Sequence, residues 1–511
     1  MARPGAVPRL TDAKFSPDIS TSPVDHLNCR RRAADRVACQ AAYDAIGKSG
    51  ATIPSMFRIP ALIGVLGFLA ALAGCAGYRP LPLPRRADLA PSLTALDSVF
   101  PDGSPAKPSH RIDVGRPLGL DQIGLLVILN NPDLKAAKGE TRVAEAKLLQ
   151  AALLPNPAVS LGYGALIAGP GTTPSYIVSL SEDIVALVTY RARLGAARAE
   201  FAGVGADLLW RAWQMAQKAR VLAFDIYFAD LSIALSRREL DLVSDELRRV
   251  QQATAAGNLA LSALSPLLAA KAASEQSLVA LRLGRLKDWQ ALDALLGLVP
   301  RVRFAIAAPD LLALPPDLGP SIATLAERRP DLVALQLGYR ASEKNVRAAI
   351  LARFPAFVLG GSWGSDTTGV VSAGPNLTFD LPVFNRNQGQ IAQARATRLL
   401  LREQYQARLD TAVGAIHSLQ AQAEQLSAEL GPARQAAAAA RSLADTARAA
   451  YAQGNLDQRS WTDYETTAME RKLEVVALER SLGEDRLALA IELGLGLPYA
   501  AKTVIDGAQP R

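Results

Sequence analysis

Cysteine and histidine are nearly absent from the chain, with three of each among 511 residues. Cys29 and Cys39 fall in the first 55 residues, so Cys75 is the one cysteine beyond them and no disulfide can form within the chain downstream of it. His26 lies in the same leading stretch, which leaves His110 and His417. That is too little for a histidine metal site or a general-base dyad, and no Gly-rich phosphate loop or nucleophile–base cluster is present. We therefore expect no enzyme, no catalytic or metal-binding residue and no cofactor. Charge of one sign is also scarce. The net charge of +8 shrinks to 47 basic against 43 acidic residues from Cys75 onward, which is no footprint for nucleic acid. The clearest apolar run, Ala61 to Leu72, is shorter than the roughly 20 residues a spanning helix needs.

That short run has a different meaning in its setting. From Met56 the chain reads as an export signal, with Arg58 as a basic start and the apolar stretch behind it. Leu72-Ala73-Gly74-Cys75 fits the lipobox of a bacterial lipoprotein, so cleavage would leave Cys75 to carry covalent lipid. Ala76 follows, not the Asp that resembles an inner-membrane retention signal, and this implies outer-membrane sorting. Residues 1–55 are expected to be a non-native upstream extension, the alternative being a disordered one, with residues 56–74 as signal peptide.

Beyond the lipobox the sequence repeats itself. "NPDLKAAKGETRVAEAKLLQAALLPNPAVSLG" from Asn131 aligns without a gap to "RPDLVALQLGYRASEKNVRAAILARFPAFVLG" from Arg329. Pro132/Pro330, Asp133/Asp331, Pro157/Pro355 and Gly162/Gly360 match at an offset of 198. After the loss of one residue, the "GNL" at Gly257 meets the "GNL" at Gly454, and Gly297 meets Gly494, at an offset of 197. This period is far longer than that of a solenoid repeat. The segments expected are a lipidated extended linker over 75–117, a first repeat over 118–300, a Pro-rich linker over 301–320, a second repeat over 321–498 and a tail over 499–511.

Each repeat carries the same order of elements: a helix (119–153, 321–352), two short strands around a Gly/Pro-rich turn, a very long helix, a Gly turn and a returning helix. The strands alternate with a period of two, as in Val159, Leu161, Tyr163 against Ser160, Gly162, Gly164, and in Leu377, Phe379, Leu381 against Thr378, Asp380. Such alternation suits a membrane barrel and equally a hairpin packed on a core. Four strands cannot close a membrane barrel, because the smallest hold about eight, so strands in lipid require oligomerisation. Long helices are expected from Tyr190 to Gln252 and from Asn387 to Gln453, with Gly431-Pro432 as the one internal interruption, kinking the second. Leu208, Met215 and Leu222, and Leu240, Val243, Leu247 and Val250, mark coiled-coil seams.

A lipobox followed by two copies of (N/R)-P-D-L, helix, P-x-x-x-L-G strand, long helix, G-N-L turn and returning helix resembles the TolC-like outer-membrane efflux proteins, in their lipoprotein branch. The resemblance covers about residues 118–498. It implies a mainly α fold with a small β portion: a duplicated unit of long antiparallel coiled-coil helices plus β-hairpins, assembling as a trimeric α-helical tunnel capped by a twelve-stranded transmembrane β-barrel. It further implies a passive exit duct working with a periplasmic membrane-fusion adaptor and an inner-membrane efflux pump, most similar to the RND type. Gly257, Asn258 and Leu259, and Gly454, Asn455 and Leu456, match the family's adaptor-docking tips. Asp463 matches a carboxylate ring of the family's periplasmic gate; a second ring position is Ser460 here, with Asp457 as a substitute. The partners so implied are a homotrimer, adaptor, pump and outer-membrane lipid, without nucleic acid. The competing reading is a lipid-anchored periplasmic coiled-coil scaffold, whose strands would pack on helices and not face lipid.

Overall fold

The computed structural model describes residues 78–99, 111–309, 317–355 and 357–495. Cys75, the signal segment, residues 1–55 and the tail lie outside them. The chain divides into two units, Met1–Arg86 and Ala87–Arg511. Within the first, residues 78–86 are exposed and carry neither helix nor strand.

In the second unit, α1 (Leu120–Asn130) and α2 (Pro132–Ala152) lead to β1 (Ala158–Gly164) and β2 (Ser175–Asp183). The long helix α3 (Ile184–Ala255) and its return α4 (Leu264–Leu296) complete the first repeat. The second repeat runs through α5 (Gly319–Ala323), α6 (Leu325–Arg328), α7 (Pro330–Leu351), β3 (Phe357–Ser365), β4 (Val371–Phe379), α8 (Gln388–Ala452) and α9 (Gln458–Glu492). The repeats thus match element for element, except that α1 corresponds to two short helices, α5 and α6. At 72 residues α3 extends about 108 Å.

The structure corrects four expectations. The helix expected over 119–153 is broken at Asn131, and the one over 321–352 is broken twice, the second time at Arg329. Pro132 and Pro330 stand at the first helical position, and a proline forces the residue before it out of the helical region; Asn131 lies at ψ 125° and Arg329 at ψ 119°. Gly431-Pro432 does not interrupt α8, which runs through as one element of 65 residues. Leu430 and Ala433, on either side of the pair, are buried against Val475 and Leu482 of α9, and this packing carries the helix past the missing backbone hydrogen bond. The strand containing Leu377 and Phe379 ends before Leu381, which is exposed in the following loop. Finally, the segment before the first repeat is more than an extended linker, since Leu93 and Leu96 form a short 3-10 turn and its cap, and both are buried.

The two breaks serve one packing task. Asn131 caps α2 by accepting from the Leu134 N–H (2.9 Å) and donates through Nδ2 to the Leu295 carbonyl at the end of α4 (2.9 Å). Arg329 donates from Nη1 to the Glu492 carbonyl at the end of α9 (3.1 Å). Residues 295 and 492 are themselves equivalent, so each break ties a helix start to the end of its own repeat's returning helix.

The cores form around these ties. Leu118, Ile123 and Leu126 pack with Ala223 and Ile226 of α3 and with Leu292 and Leu296 of α4. In the second repeat Leu325 and Leu332 pack with Ala412 and Ile416 of α8, Leu489 of α9 and Leu493 at its C-cap. Away from these clusters the helices lie in the lateral order α2–α3–α7–α8, with α4 on α3 and α9 on both α8 and α3. The strands follow the same order, β1–β2–β3–β4, antiparallel throughout. The sheet therefore continues the helix layer strand for helix.

Candidate functional site

The sheet register sorts its side chains by chemistry. Pairing sets Val159 opposite Leu180, Leu161 opposite Val178 and Tyr163 opposite Tyr176. It then sets Val178 opposite Trp363, Leu359 opposite Leu377 and Phe357 opposite Phe379. All of these share one face. The other face carries Ser160, Ser179, Ser181, Ser362, Asn376, Thr378 and glycines, with Ile177 and Val358 as apolar exceptions. On the apolar face the aromatics sit at the ends. Tyr176 and Trp363 meet at 5.4 Å toward the turns, and Phe357 and Phe379 pair toward the helices. Phe357 and Trp363 are six residues apart, about 20 Å along the strand.

Among the described residues no helix covers that face. Leu161 is 77% exposed, Tyr163 75% and Val159 64%. Among the described residues the outer edges of β1 and β4 have no partner strand, so their backbone donors and acceptors are left open. The helix layer ends likewise in exposed leucines, Leu149 on α2 and its C-cap Leu153, and Leu399 and Leu400 on α8. No helix among the described residues is long and apolar enough to cross a membrane, and no cluster of metal-ligating side chains occurs among them.

At the opposite ends of the long helices the two "GNL" turns have one geometry. Gly257 (φ +78°) and Gly454 (φ +76°) adopt the left-handed conformation that glycine tolerates at a helix C-terminus. Asn258 N–H donates to the Ala253 carbonyl and Asn455 N–H to the Ala450 carbonyl, both at 2.8 Å. The glycine N–H groups reach Thr254 and Tyr451, both at 3.0 Å, which completes a Schellman motif at each tip. Both turns are exposed, Leu259 to 45%, whereas Leu456 is half-buried.

The gate positions divide into two kinds. Asp457 is the N-cap of α9: its carboxylate accepts from the Ser460 N–H (3.0 Å) and pairs with the Ser460 hydroxyl (2.7 Å). These two bonds hold Asp457 below the ordinary carboxylate range. Asp463 lies one turn further on and is exposed. It is in electrostatic reach of Glu246 on α3, a residue that sequence reasoning passed over. Glu246 is buried, and its Oε2 has no hydrogen-bond partner among the described residues. Burial pushes its carboxyl up, Asp463 and Asp457 push the same way, and Arg249 and Arg459 pull against them. Glu246 sits inside the Val243–Leu247 seam, where the pattern predicts only packing. Two further features near the second tip were also missed: Glu465, buried between Arg441 (3.0 Å) and Arg448, and a stacked pair, Tyr451 and Trp461, with centroids 5.1 Å apart.

Residues 322–495 match the family model for the outer membrane efflux protein. The second repeat is thus similar to the outer membrane efflux protein family. No curated protein matches the chain in sequence. Solved structures share the fold over most of the chain. The CmeC outer membrane channel of Campylobacter jejuni is 15% identical, with a TM-score of 0.62 over 76% of this chain and 89% of its own. The open-state MtrE outer membrane channel of Neisseria gonorrhoeae is 18% identical, with 0.60 over 83% and 99%. The outer membrane protein VceC of Vibrio cholerae is 19% identical, with 0.60 over 74% and 97%. The TolC-like resemblance carried by the two (N/R)-P-D-L motifs and the two "GNL" turns is thus matched by an efflux-protein domain and by the fold of outer membrane channels.

Proposed function

We propose that the protein is the outer-membrane exit duct of a tripartite efflux system. Three copies each add four strands to one closed barrel of twelve, and the helix layers beneath it close into a periplasmic tunnel. The observation that carries this reading is the sheet: one face apolar and exposed with aromatics at both ends, the other hydroxyl- and glycine-lined, and two open edges. Because β1 and β4 run antiparallel, β4 of one copy can pair with β1 of the next in the sense the sheet already uses. Closure removes both edges, and about eight strands are the minimum that permits it. A coiled-coil scaffold would leave the apolar face in water.

In this reading Cys75 carries the lipid anchor, and the outer membrane surrounds the sheet. The two "GNL" tips dock a periplasmic adaptor, which joins the duct to an inner-membrane pump of the RND type. Asp463, repeated around a three-fold axis, narrows the mouth and draws cations toward it. Transport through the duct is passive, without catalysis or cofactor.

Planar-bilayer conductance of the purified protein, with Asp463→Ala beside it, tests the proposal. Discrete steps from a trimer, larger in the variant, are expected. A monomer that does not enter membranes sinks the channel, and steps unchanged in Asp463→Ala remove the gate assignment.

A further inference from the structure

The four helices that run to the tips stand side by side in the order α8–α9–α3–α4, with α9 packed on both α8 and α3, and α4 packed on α3. The other flank of α4 is exposed and apolar. Val279, Leu283 and Leu286, four and three residues apart, form one stripe along it, and Leu283 at its centre is 61% exposed. Apolar residues at this spacing make the seam along which one helix receives another.

Duplication identifies the missing helix. At the 197-residue offset the stripe corresponds to Val476, Arg480 and Gly483, the side of α9 that faces α3. Val476 packs with Phe224 and Phe228, Arg480 Nε donates to Asp225 Oδ1 (3.1 Å), and a Cβ on Gly483 would overlap the Phe224 ring. The offset holds in space: Leu292 and Leu296 share a cluster with Ala219, as Leu489 and Leu493 do with its equivalent, Ile416. The helix that stands to α4 as α3 stands to α9 is therefore α8. Its residues equivalent to Val221, Phe224, Asp225 and Phe228 are Ser418, Ala421, Gln422 and Gln425, all exposed. Within one chain α8 lies at the far end of the row, so the partner is α8 of a second copy. A row with unlike ends closes only head to tail, the same sense in which β4 of one copy meets β1 of the next.

We propose that α4 of each copy seats on α8 of the next with Leu286 over Ala421, and that an exchange of bulk keeps this contact distinct from the one between α3 and α9. Between α3 and α9 the large side chain, Phe224, stands on the long helix and the glycine on the returning one. Between α8 and α4 the leucine stands on the returning helix and the alanine on the long one. Neither returning helix can take the other's place. Leu286 brought to the position of Gly483 collides with Phe224, and Gly483 brought over Ala421 leaves a void. First and second repeats must then alternate around the assembly, and a hairpin cannot be exchanged for its counterpart in another copy. The seating rests on the closed trimer proposed above, and it specifies which helix faces meet there.

Full-length protein carrying both Leu286→Cys and Ala421→Cys, treated in membranes with a short bis-maleimide and resolved on a denaturing gel, tests the seating, with the wild type as control for the chain's own cysteines. Covalent dimer and trimer are expected from the double variant and from neither single one. A crosslink from Leu286→Cys alone means that two α4 stripes face each other, and it overturns the head-to-tail contact. No crosslink in a double variant that native mass spectrometry finds trimeric overturns the seating and leaves the channel standing, whereas a monomeric wild type removes both. The exchange of bulk has its own test. Ala421→Phe is expected to lower the trimer fraction about tenfold, and Leu286→Gly in the same chain to restore it by reproducing the Phe224–Gly483 pair. A double variant no more trimeric than Ala421→Phe alone overturns the sorting by bulk.

Discussion

Asn131 and Arg329 occupy equivalent positions before their prolines and close the same gap by different chemistry. The amide reaches one carbonyl and one helix start, whereas Arg329, fully buried, must also be neutralised. Its Nε and Nη2 donate to Asp331 (3.0 and 2.8 Å), Nη1 meets Glu492 Oε2 (2.5 Å), and the guanidinium lies 4.6 Å from the Trp210 ring centroid. Arg408 reaches Asp331 from α8 (2.7 Å). Removing one member of such a network strands a buried charge, so Arg329→Ala is expected to destabilise by about 3–5 kcal/mol, read by thermal melting. Burial by itself would raise Asp331, but the bonds and charges of Arg329 and Arg408 outweigh it and hold the carboxyl below its ordinary value of 3.8. A depressed acid adds stability above its ordinary value and loses it as pH falls through the folded one. Melting temperature should therefore drop on acidification below about pH 4, and Asp331→Asn, though less stable at neutral pH, should show a shallower acid limb.

At the scale of elements, the strands depend on which face meets which solvent. Leu161 lies mid-strand on the apolar face, and a cation on the lipid side of a barrel costs about 2–4 kcal/mol near mid-bilayer. Leu161→Lys is expected to lower the yield of assembled oligomer in membrane fractions while Ser179→Lys, on the opposite face, is tolerated. Equal assembly of the two would argue against lipid on the apolar face. Much of this was legible in the sequence, because alternation of side chains is a local property with a period of two. The length of the long helices was legible for the same reason, as was the positive φ of Gly257 and Gly454. What was not legible is tertiary. The helices expected over 119–153 and 321–352 ran through the prolines at 132 and 330, because the ties that fix the breaks, Asn131 to the Leu295 carbonyl and Arg329 to the Glu492 carbonyl, reach a distant helix end. Pro432 looked like an interruption because the packing of Leu430 and Ala433 on α9 cannot be read from α8 alone. Glu246 and the ion pair of Asp225 with Arg480 carry no motif, since what defines each is a partner helix from the other repeat.

Over the whole molecule, duplication supplies the architecture, and the differences between the copies supply what one copy does alone. The tips make this testable. Both present a Schellman turn with an exposed Asn, but only the second stands on an aromatic platform, Tyr451 stacked on Trp461 within 8° of parallel. The equivalents in the first repeat are Thr254 and Leu264. Stacked rings with few rotamers form a rigid base, and a partner that docks on a rigid base gives up less conformational freedom. If the tips receive the adaptor, replacing Leu259 and Leu456 together with Asp should abolish export in a strain lacking the native duct, with trimer formation unchanged by native mass spectrometry. Taken singly, Leu456→Asp should be the more damaging, since it places a charge beside the platform, while Leu259→Asp alters a turn without one. Export that survives the double substitution removes the docking role from both turns. Equal single effects would keep the docking role but refute the argument that the rings make the second tip the stronger contact.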